Sequence, residues 1–455
     1  MIKSIDHTLK DIAAIFNNSG KEIYLVGGAV RDMLRGEKIH DWDLATDATP
    51  DEVTAIVRKN GGKVIPTGIK HGTVTVLYNN KSAEVTTFRT EADYSDGRRP
   101  DKVSYAATIT EDLSRRDFTM NAIALRLPSG EIVDPFNGAK DIKAEIIRCV
   151  GNAQERFNED GLRPLRAVRF ASQLGFIIEQ DTLDAIPCAL SVCEKVSAER
   201  ARDEIDKILA SSLPSQGFIL MQETGLLKLF IPELDLCFGV EQKGFHEFDV
   251  FWHSLLACDY AASCNFSREL KLSALFHDIG KPSCRALDKQ SGVYTFYRHE
   301  EVSADMTKTI LERLKYPNAV TNKVCHLVKE HMFLYTDEWS DSAVRRFIAR
   351  VGEENIDDIY RLRRADIYGF SGKNPDYRSI EKLADRVTKV LEKGNAFTIK
   401  NLAVCGNDLI AEGIPAGKMI GVILKELLET VLDDPEQNTK EKLLEIAKKI
   451  FEERN

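Results

Sequence analysis

The stretch Tyr24-Leu25-Val26-Gly27-Gly28-Ala29-Val30-Arg31-Asp32, followed by Asp41-Trp42-Asp43-Leu44, constrains the fold more than any other part of the chain. Residues 22–26 are apolar and partly β-branched, which predicts a buried strand. Gly27 and Gly28 then permit a sharp turn and close backbone approach to a ligand. A short helix follows over 29–35, and its free N–H groups and positive dipole end suit a phosphate. Asp41 and Asp43 stand two apart in the next strand, so their carboxylates share a face, with Trp42 and Leu44 turned into a core. Two adjacent carboxylates repel each other unless a cation lies between them, and oxygen-only ligands favour Mg²⁺. Either half alone is common on a solvated loop or strand edge. Together, in this order, they point to chemistry on a nucleoside triphosphate.

The whole chain sets outer bounds. Its 455 residues suffice for two to four domains with ample core. The first residues lack the apolar core of a signal peptide, and no apolar run is long enough to span a membrane, so a cytoplasmic setting is expected. Nine cysteines, with no C-x-x-C pair, read as reduced packing residues rather than a zinc site or disulfide framework. A net charge of −9 argues against a protein that coats nucleic acid non-specifically. It leaves room for a local basic groove, because folded RNA is held largely by shape.

Further along, residues 1–20 carry an amphipathic helix (Leu9, Ile12, Ala13, Ile15, Phe16). Thr49-Pro50-Asp51-Glu52 is a capping-box helix start. Two strands over 72–78 and 82–88 form a hairpin about Asn79-Asn80-Lys81. Glu84 becomes a third carboxylate if its strand neighbours the D-x-D strand; otherwise it is an exposed strand residue. Residues 90–102 form a long charged loop whose tip, Arg98 and Arg99, suits closure over phosphates or simple solvation. In Arg115-Arg116-Asp117-Phe118-Thr119-Met120-Asn121, the arginines fit triphosphate or RNA phosphate. Asp117 and Asn121, four apart on one helical face, suit a ribose; a helix cap with ion pairs is the plainer alternative. Residues 134–138 make a turn.

From about 139 the pattern is helical. Arg148, Arg156, Arg163, Arg166 and Arg169 make a basic stretch. Asp160 and Arg163, three apart on one helix face, either form an ion pair or present donors and acceptors to base edges. Ser197-Ala198-Glu199-Arg200 carries a capping signature. A second constellation follows on apolar helices: His253, His277-Asp278, His299, His331 and Asp366. Burying imidazoles with carboxylates is costly unless they coordinate something, and the mixture suits a transition metal. The last segment opens with a polar break at 371–375. It continues with Gly413, Pro415, Gly417 and Gly421, a helical hairpin whose backbone, near Lys418 and Lys425, suits either a phosphate partner or simple helix packing.

Six stretches, in order, resemble the class II tRNA nucleotidyltransferase/poly(A) polymerase family, the bacterial CCA-adding enzymes of the polymerase-β superfamily. They are residues 25–50, 96–103, 111–125, 134–142, 159–176 and 197–209. The resemblance implies an α+β fold: an N-terminal polymerase-β-like nucleotidyltransferase head (mixed sheet with helices, 1–145), then an all-α neck for base recognition (146–215), a helical body (216–375) and a tRNA-binding tail (376–455). It implies that Asp41 and Asp43 hold two Mg²⁺ ions; Glu84, from its strand placement, is expected as a third catalytic carboxylate. By the same resemblance, Gly27, Gly28 and Arg31 contact the triphosphate. Arg116, Asp117 and Asn121 match the ribose segment, Asp160 and Arg163 the pair that reads the base of CTP or ATP, and Arg166 and Arg169 complete the nucleotide set. Pro164 departs from the family pattern: inside a helix it forfeits a hydrogen bond, and if the helix starts at Asp160 as N-cap the loss is one early bond, with Gly161 giving slack. The second constellation resembles an HD metal-dependent phosphohydrolase domain, with His253, His277, Asp278 and Asp366 as ligands, His299 and His331 as additional metal or phosphate ligands, and a transition metal as cofactor.

The expected function is template-independent addition of C, C and A from CTP and ATP to the tRNA 3′ end, with no membrane involvement. An enzyme adding only A or only CC, or a poly(A) polymerase, is the alternative within the transferases. An HD phosphohydrolase with a nucleotide-sensing head, and an RNA-binding protein with an inactive head, are the alternatives outside them. Oligomeric state is left open by the sequence.

Overall fold

The computed structural model describes residues 6–39, 41–69, 72–92, 102–242, 248–290, 292–373, 375–394 and 396–454. Arg98 and Arg99, with most of their loop, lie outside the described residues. The chain divides into two compact units, Met1–Pro232 and Glu233–Asn455.

The first unit is built on a mixed sheet. Its strands are β1 (Ile23–Val26), β2 (Asp43–Thr46), β3 (Lys63–Gly68), β4 (Thr73–Tyr78) and β5 (Lys81–Thr87). A ribbon follows, β6 (Arg89–Ala92) with β7 (Lys102–Tyr105), and then β8 (Ala124–Arg126) and β9 (Ile132–Val133). The spatial order of the main sheet is β3-β4-β5-β2-β1-β8-β9. All its neighbours run antiparallel except β2 and β5, which are parallel and pair Asp43 with Glu84. All four residues of β1 are buried, as expected for a strand covered on both faces. In β5 the burial alternates, with Ala83, Val85 and Thr87 inward and Glu84 outward. The helix Pro50–Lys59 starts on the expected capping box: Glu52 N–H donates to the Thr49 hydroxyl, and Thr49 N–H donates to Glu52 at 2.8 Å.

Two local expectations change. The D-x-D strand begins at Asp43, so Asp41 stands just before it rather than within it. Leu44 is buried, but Trp42 is half-exposed, with the Lys81 ammonium 5.0 Å from its ring centre. A lysine stem laid on an indole replaces core packing there.

The first unit continues with helices that include Ala153–Glu159, Leu162–Leu174, Gln180–Cys188, Ala198–Leu209 and Pro214–Thr224, and a short parallel strand pair, Ile146–Ile147 with Ile177–Ile178, interrupts the neck expected to be all-α. Pro164 is the third residue of Leu162–Leu174. The first N–H groups of a helix have no intrahelical acceptor, so the proline forfeits nothing at that position. Asp160 precedes this helix in extended conformation, and its carboxylate accepts from Leu162 N–H at 3.0 Å. Asp160 and Arg163 therefore do not share a helix face. Gly161 between them lets two backbones meet: a Cβ there would lie 2.4 Å from the Val192 carbonyl oxygen.

The second unit is helical apart from a small ribbon, Ala286–Leu287 with Tyr294–Thr295. One core gathers the helices Val250–Ser263, Arg268–Phe276, Asp341–Val351, Ile356–Gly369 and Arg378–Glu392 around residues such as Leu270, Phe347, Ile359 and Leu383. Another packs Leu409, Ile423, Leu427, Val431 and Leu443 in the C-terminal helices. Cβ atoms at Gly413, Gly417 and Gly421 would meet open space, so no close backbone approach among the described residues requires these glycines.

Candidate active site and a second histidine–aspartate cluster

One cavity of about 840 Å³ opens in the first unit. Gly27, Gly28, Arg31, Asp41, Asp43, Glu84, Arg116, Asp117, Asn121, Asp160, Arg163, Arg166 and Arg169 all line it. These residues come from sites as far apart in sequence as 27 and 169, and the sheet and the neck helices bring them together. The β2–β5 pairing sets Glu84 beside Asp43, and all three carboxylates are solvent-accessible. Burial of the cavity floor lifts the Asp43 carboxyl above its ordinary range; Arg116 opposes that lift and Asp41 reinforces it. Three oxygen-donor side chains facing a wet cavity suit a hard divalent cation.

Gly27 turns the chain at φ +69°, and a Cβ there would sit 3.0 Å from Arg116 Nη1. The turn thus lets the Arg116 guanidinium lie directly against backbone. Arg115 and Arg116 are both anchored on Asp112, which is buried; Arg115 donates at 2.8 Å and Arg116 at 3.1 Å. Their charges hold the Asp112 carboxyl below its usual value against the effect of burial.

A hydrogen-bonded chain crosses the cavity wall. Arg31 donates to Asp32 and, at 2.9 Å, to Asn121 Oδ1. Asn121 donates to Asp117 Oδ1 at 3.2 Å, and Arg166 grips Asp117 Oδ2 through Nε at 2.8 Å and Nη2 at 2.6 Å. Burial would raise the Asp117 carboxyl, but the Arg166 charge and these donors hold it at about 2. Asp117 and Asn121 do not share a regular helix. Asp117 lies in the turn after Ile109–Ser114, and Asn121 ends a 3₁₀ turn, Thr119–Asn121. The guanidiniums of Arg31, Arg166 and Arg169 surround the Phe170 ring at 5.3, 5.5 and 3.6 Å from its centre.

Asp160 and Arg163 reach the same wall by different routes. Arg163 donates to the Arg156 and Arg115 carbonyls at 2.9 and 3.0 Å and to Glu159 at 2.5 Å. Asp160 Oδ2 accepts from Arg200 at 2.7 Å. Arg169 donates to buried Glu204 at 2.6 Å; burial lowers its guanidinium to about 10 while Glu204 opposes the shift. Sequence reasoning missed Asp112, Arg200 and Lys207. The signal for the last two is a charged stripe at 200, 204 and 207 on Ala198–Leu209, beside the buried stripe of Ala201, Ile205 and Ile208. Charge at that spacing ordinarily means a solvated face. Ser197 is the N-cap of that helix but makes no side-chain capping bond.

The second unit holds the other cluster. The ligand atoms of His253, His277 and Asp366 lie within 4.8 Å of one another, as do those of Asp278, His299 and His331, and all six residues are buried. Nδ1 of His277, His299 and His331 each bond a backbone carbonyl, of Ala274, Phe296 and Val328, at 2.8, 2.8 and 2.6 Å. Those bonds fix the tautomer and turn the Nε2 lone pairs inward. Asp278 Oδ2 lies 3.3 Å from Nε2 of both His253 and His277, while Oδ1 lies 3.1 Å from His299 Nε2. Lys281 holds Asp278 at 2.6 Å, and Arg363 pairs with Asp366. Nε2 of His253 and Nε2 of His277 stand 3.0 Å apart, both directed at the two aspartates. This donor set, with its convergent nitrogens, fits a transition-metal ion.

A mixed sheet bearing three carboxylates beneath an arginine-rich cavity defines a nucleotidyl-transferring head. Residues 23–148 match the poly A polymerase head domain, and residues 293–447 match tRNA nucleotidyltransferase domain 2. The CCA-adding enzyme of Lactobacillus delbrueckii subsp. bulgaricus is 35% identical over 430 residues, covering 94% of this chain and 93% of the relative. That of Enterococcus faecalis is 33% identical over 455 residues and covers 98% of each. The crystal structure of the Bacillus stearothermophilus CCA-adding enzyme in complex with CTP superposes with a TM-score of 0.72 at 30% identity, covering 98% of both chains. The chain belongs to the CCA-adding enzyme family.

Proposed function

We propose that this protein adds C, C and A from CTP and ATP to the 3′ end of tRNA without a nucleic-acid template. The observation that carries this reading is the single cavity uniting Asp41, Asp43 and Glu84 with Asp160, Arg163 and a wall of arginines. In this reading Gly27, Gly28, Arg31 and Arg116 hold the triphosphate, and Asp117 with Asn121 seats the ribose. Arg166 fixes Asp117, and Arg169 shapes the wall beside Phe170. Asp160 and Arg163 read the base edge, because a carboxylate accepts from an exocyclic amino group and a guanidinium offers two fixed donors. Two Mg²⁺ ions held by Asp41 and Asp43, with Glu84 alongside, would acidify the tRNA 3′-OH and offset charge on the pyrophosphate leaving group. The protein's share is positioning and charge complementarity: the 3′-oxygen attacks the α-phosphorus in line, and the bond to pyrophosphate breaks. Head (1–145), neck (146–215), body (216–375) and tail (376–455) then divide the work into catalysis, base recognition, scaffold and tRNA binding. A cytoplasmic setting accompanies a tRNA substrate, and no helix among the described residues is long and apolar enough to cross a membrane.

The test offers tRNA ending at the discriminator base, at C or at CC, with labelled CTP and ATP separately. Ordered incorporation of both nucleotides is expected. Incorporation of A alone onto CC-ending tRNA, or of C alone, would replace the reading with a partial enzyme, and untemplated A runs with a poly(A) polymerase.

A second reading rests on the inward-turned imidazoles around Asp278: a metal-dependent phosphohydrolase in the second unit, loaded with a transition metal. It predicts phosphoester hydrolysis that survives Asp41→Ala and disappears in Asp278→Ala.

A further inference from the structure

Arg200 lies outside the residues assigned above to nucleotide contact, yet it lines the same cavity. It sits in the first turn of Ala198–Leu209, which packs against Leu162–Leu174. Its Nη2 donates to Asp160 Oδ2 at 2.7 Å, and the other carboxylate oxygen accepts from Leu162 N–H at 3.0 Å. Each Asp160 oxygen thus has one fixed donor, which pins the plane of the carboxylate. Both side chains are mostly buried, at 26% and 19% exposure, so the pair is poorly screened. Among the described residues Arg200 Nη1 is buried without a hydrogen-bond partner, while Nη2 is held by Asp160. One turn on, Glu204 anchors Arg169 in the same way. A single helix therefore backs the cavity wall with two charge-assisted bonds.

We infer that Arg200 is the positioning residue that lets Asp160 discriminate among bases. The inference rests on the reading of Asp160 as a base reader. A pinned carboxylate accepts from the amino group of cytosine or adenine, and it meets the carbonyl oxygen of uracil or guanine lone pair to lone pair. That repulsion is what rejects the wrong nucleotide. A carboxylate held only by Leu162 N–H can turn its free oxygen away, which relieves the clash with UTP more than it costs CTP. Arg200 acts through Asp160 and does not itself touch the base.

The experiment uses the full chain and tRNA ending at the discriminator base, and measures kcat/KM for CTP and for UTP separately. Arg200→Met keeps the stem and removes the donor, and Arg200→Lys restores a cation. The CTP-to-UTP ratio is expected to fall about tenfold or more in Arg200→Met, the size of one well-placed base contact, and to recover in part in Arg200→Lys. A merely structural role slows both nucleotides together, and an unchanged ratio overturns the inference. Should Arg200→Met fail to fold, Arg200→Gln is scored on the same ratio. If the wild-type protein itself takes CTP and UTP alike, the base-reading assignment falls and this inference falls with it. A discriminating wild type with equally discriminating variants removes only the role of Arg200.

Discussion

Gly161 offers a sharp test of how the wall carrying Asp160 and Arg163 is held. Its backbone is ordinary helical, with φ −61° and ψ −9°, so alanine meets no conformational penalty there. The penalty is steric. An alanine Cβ would stand 2.4 Å from the Val192 carbonyl oxygen, 2.6 Å from its carbon and 2.8 Å from Cys193 N, all backbone atoms that cannot rotate away. A relaxed carbon–oxygen contact is about 3.3 Å, so the two segments must part by about 1 Å. Asp160 and Arg163 flank Gly161 and move with it. Overpacking of this kind costs about 1–3 kcal/mol. A shift of about 1 Å in a positioning group costs roughly 10²-fold in rate. Gly161→Ala is therefore expected to lower Tm modestly and to lower kcat/KM for CTP and ATP far more than the stability loss accounts for. Gly175→Ala is the control: it lies at φ +70° with open space around its would-be Cβ, so it costs backbone strain, about 1 kcal/mol, without moving the wall. Single-turnover incorporation and thermal unfolding on both variants decide the matter. Wild-type kcat/KM in Gly161→Ala would refute the steric argument.

Three further outcomes are expected. Asp41→Ala lowers nucleotide incorporation roughly 10³-fold or more while leaving Tm within about 1 °C of wild type, because the carboxylate is exposed and carries no packing. Asp117, held at about 2 in the folded protein, has a depressed pKa; its contribution, up to about 2 kcal/mol, is complete above its unfolded value near 4 and lost as pH falls through 2. The stability gap between wild type and Asp117→Asn in denaturant titrations should therefore be wide at pH 6 and close toward pH 2. Adding a divalent transition metal to the chelator-treated protein should raise the Tm of the second unit, and Asp278→Ala should abolish that rise.

Much of the fold was legible along the chain. Buried β1, the capping box at Thr49 and the hairpin at Asn79-Asn80 follow from periodicity and turn chemistry that act within a few residues. The positions of Trp42 and Asp160 did not follow. Trp42 found a lysine stem from the next hairpin instead of a core, and Asp160 took an extended conformation between two helices, with Arg200 of a third on its carboxylate. Both outcomes depend on partners supplied from elsewhere. Arg200 and Glu204 were illegible for the same reason: a charged helix face looks solvated until another element is packed against it.

The sequence by itself determined the chemical inventory: the carboxylates at 41, 43 and 84, the glycine turn at 27 and 28, and the run of arginines from 163 to 169. It also set the helical period of most of the chain after about 139. Tertiary structure alone decided which of these groups meet. The parallel pairing of β2 with β5 put Glu84 beside Asp43, the backbone contact at Gly161 set the wall that carries Asp160 and Arg163, and the packing of Ala198–Leu209 on Leu162–Leu174 gave Asp160 its second donor. The physical reason is range. Propensity, capping and periodicity act over one or two turns of chain, whereas a site is fixed by long-range contacts whose partners the local pattern does not name.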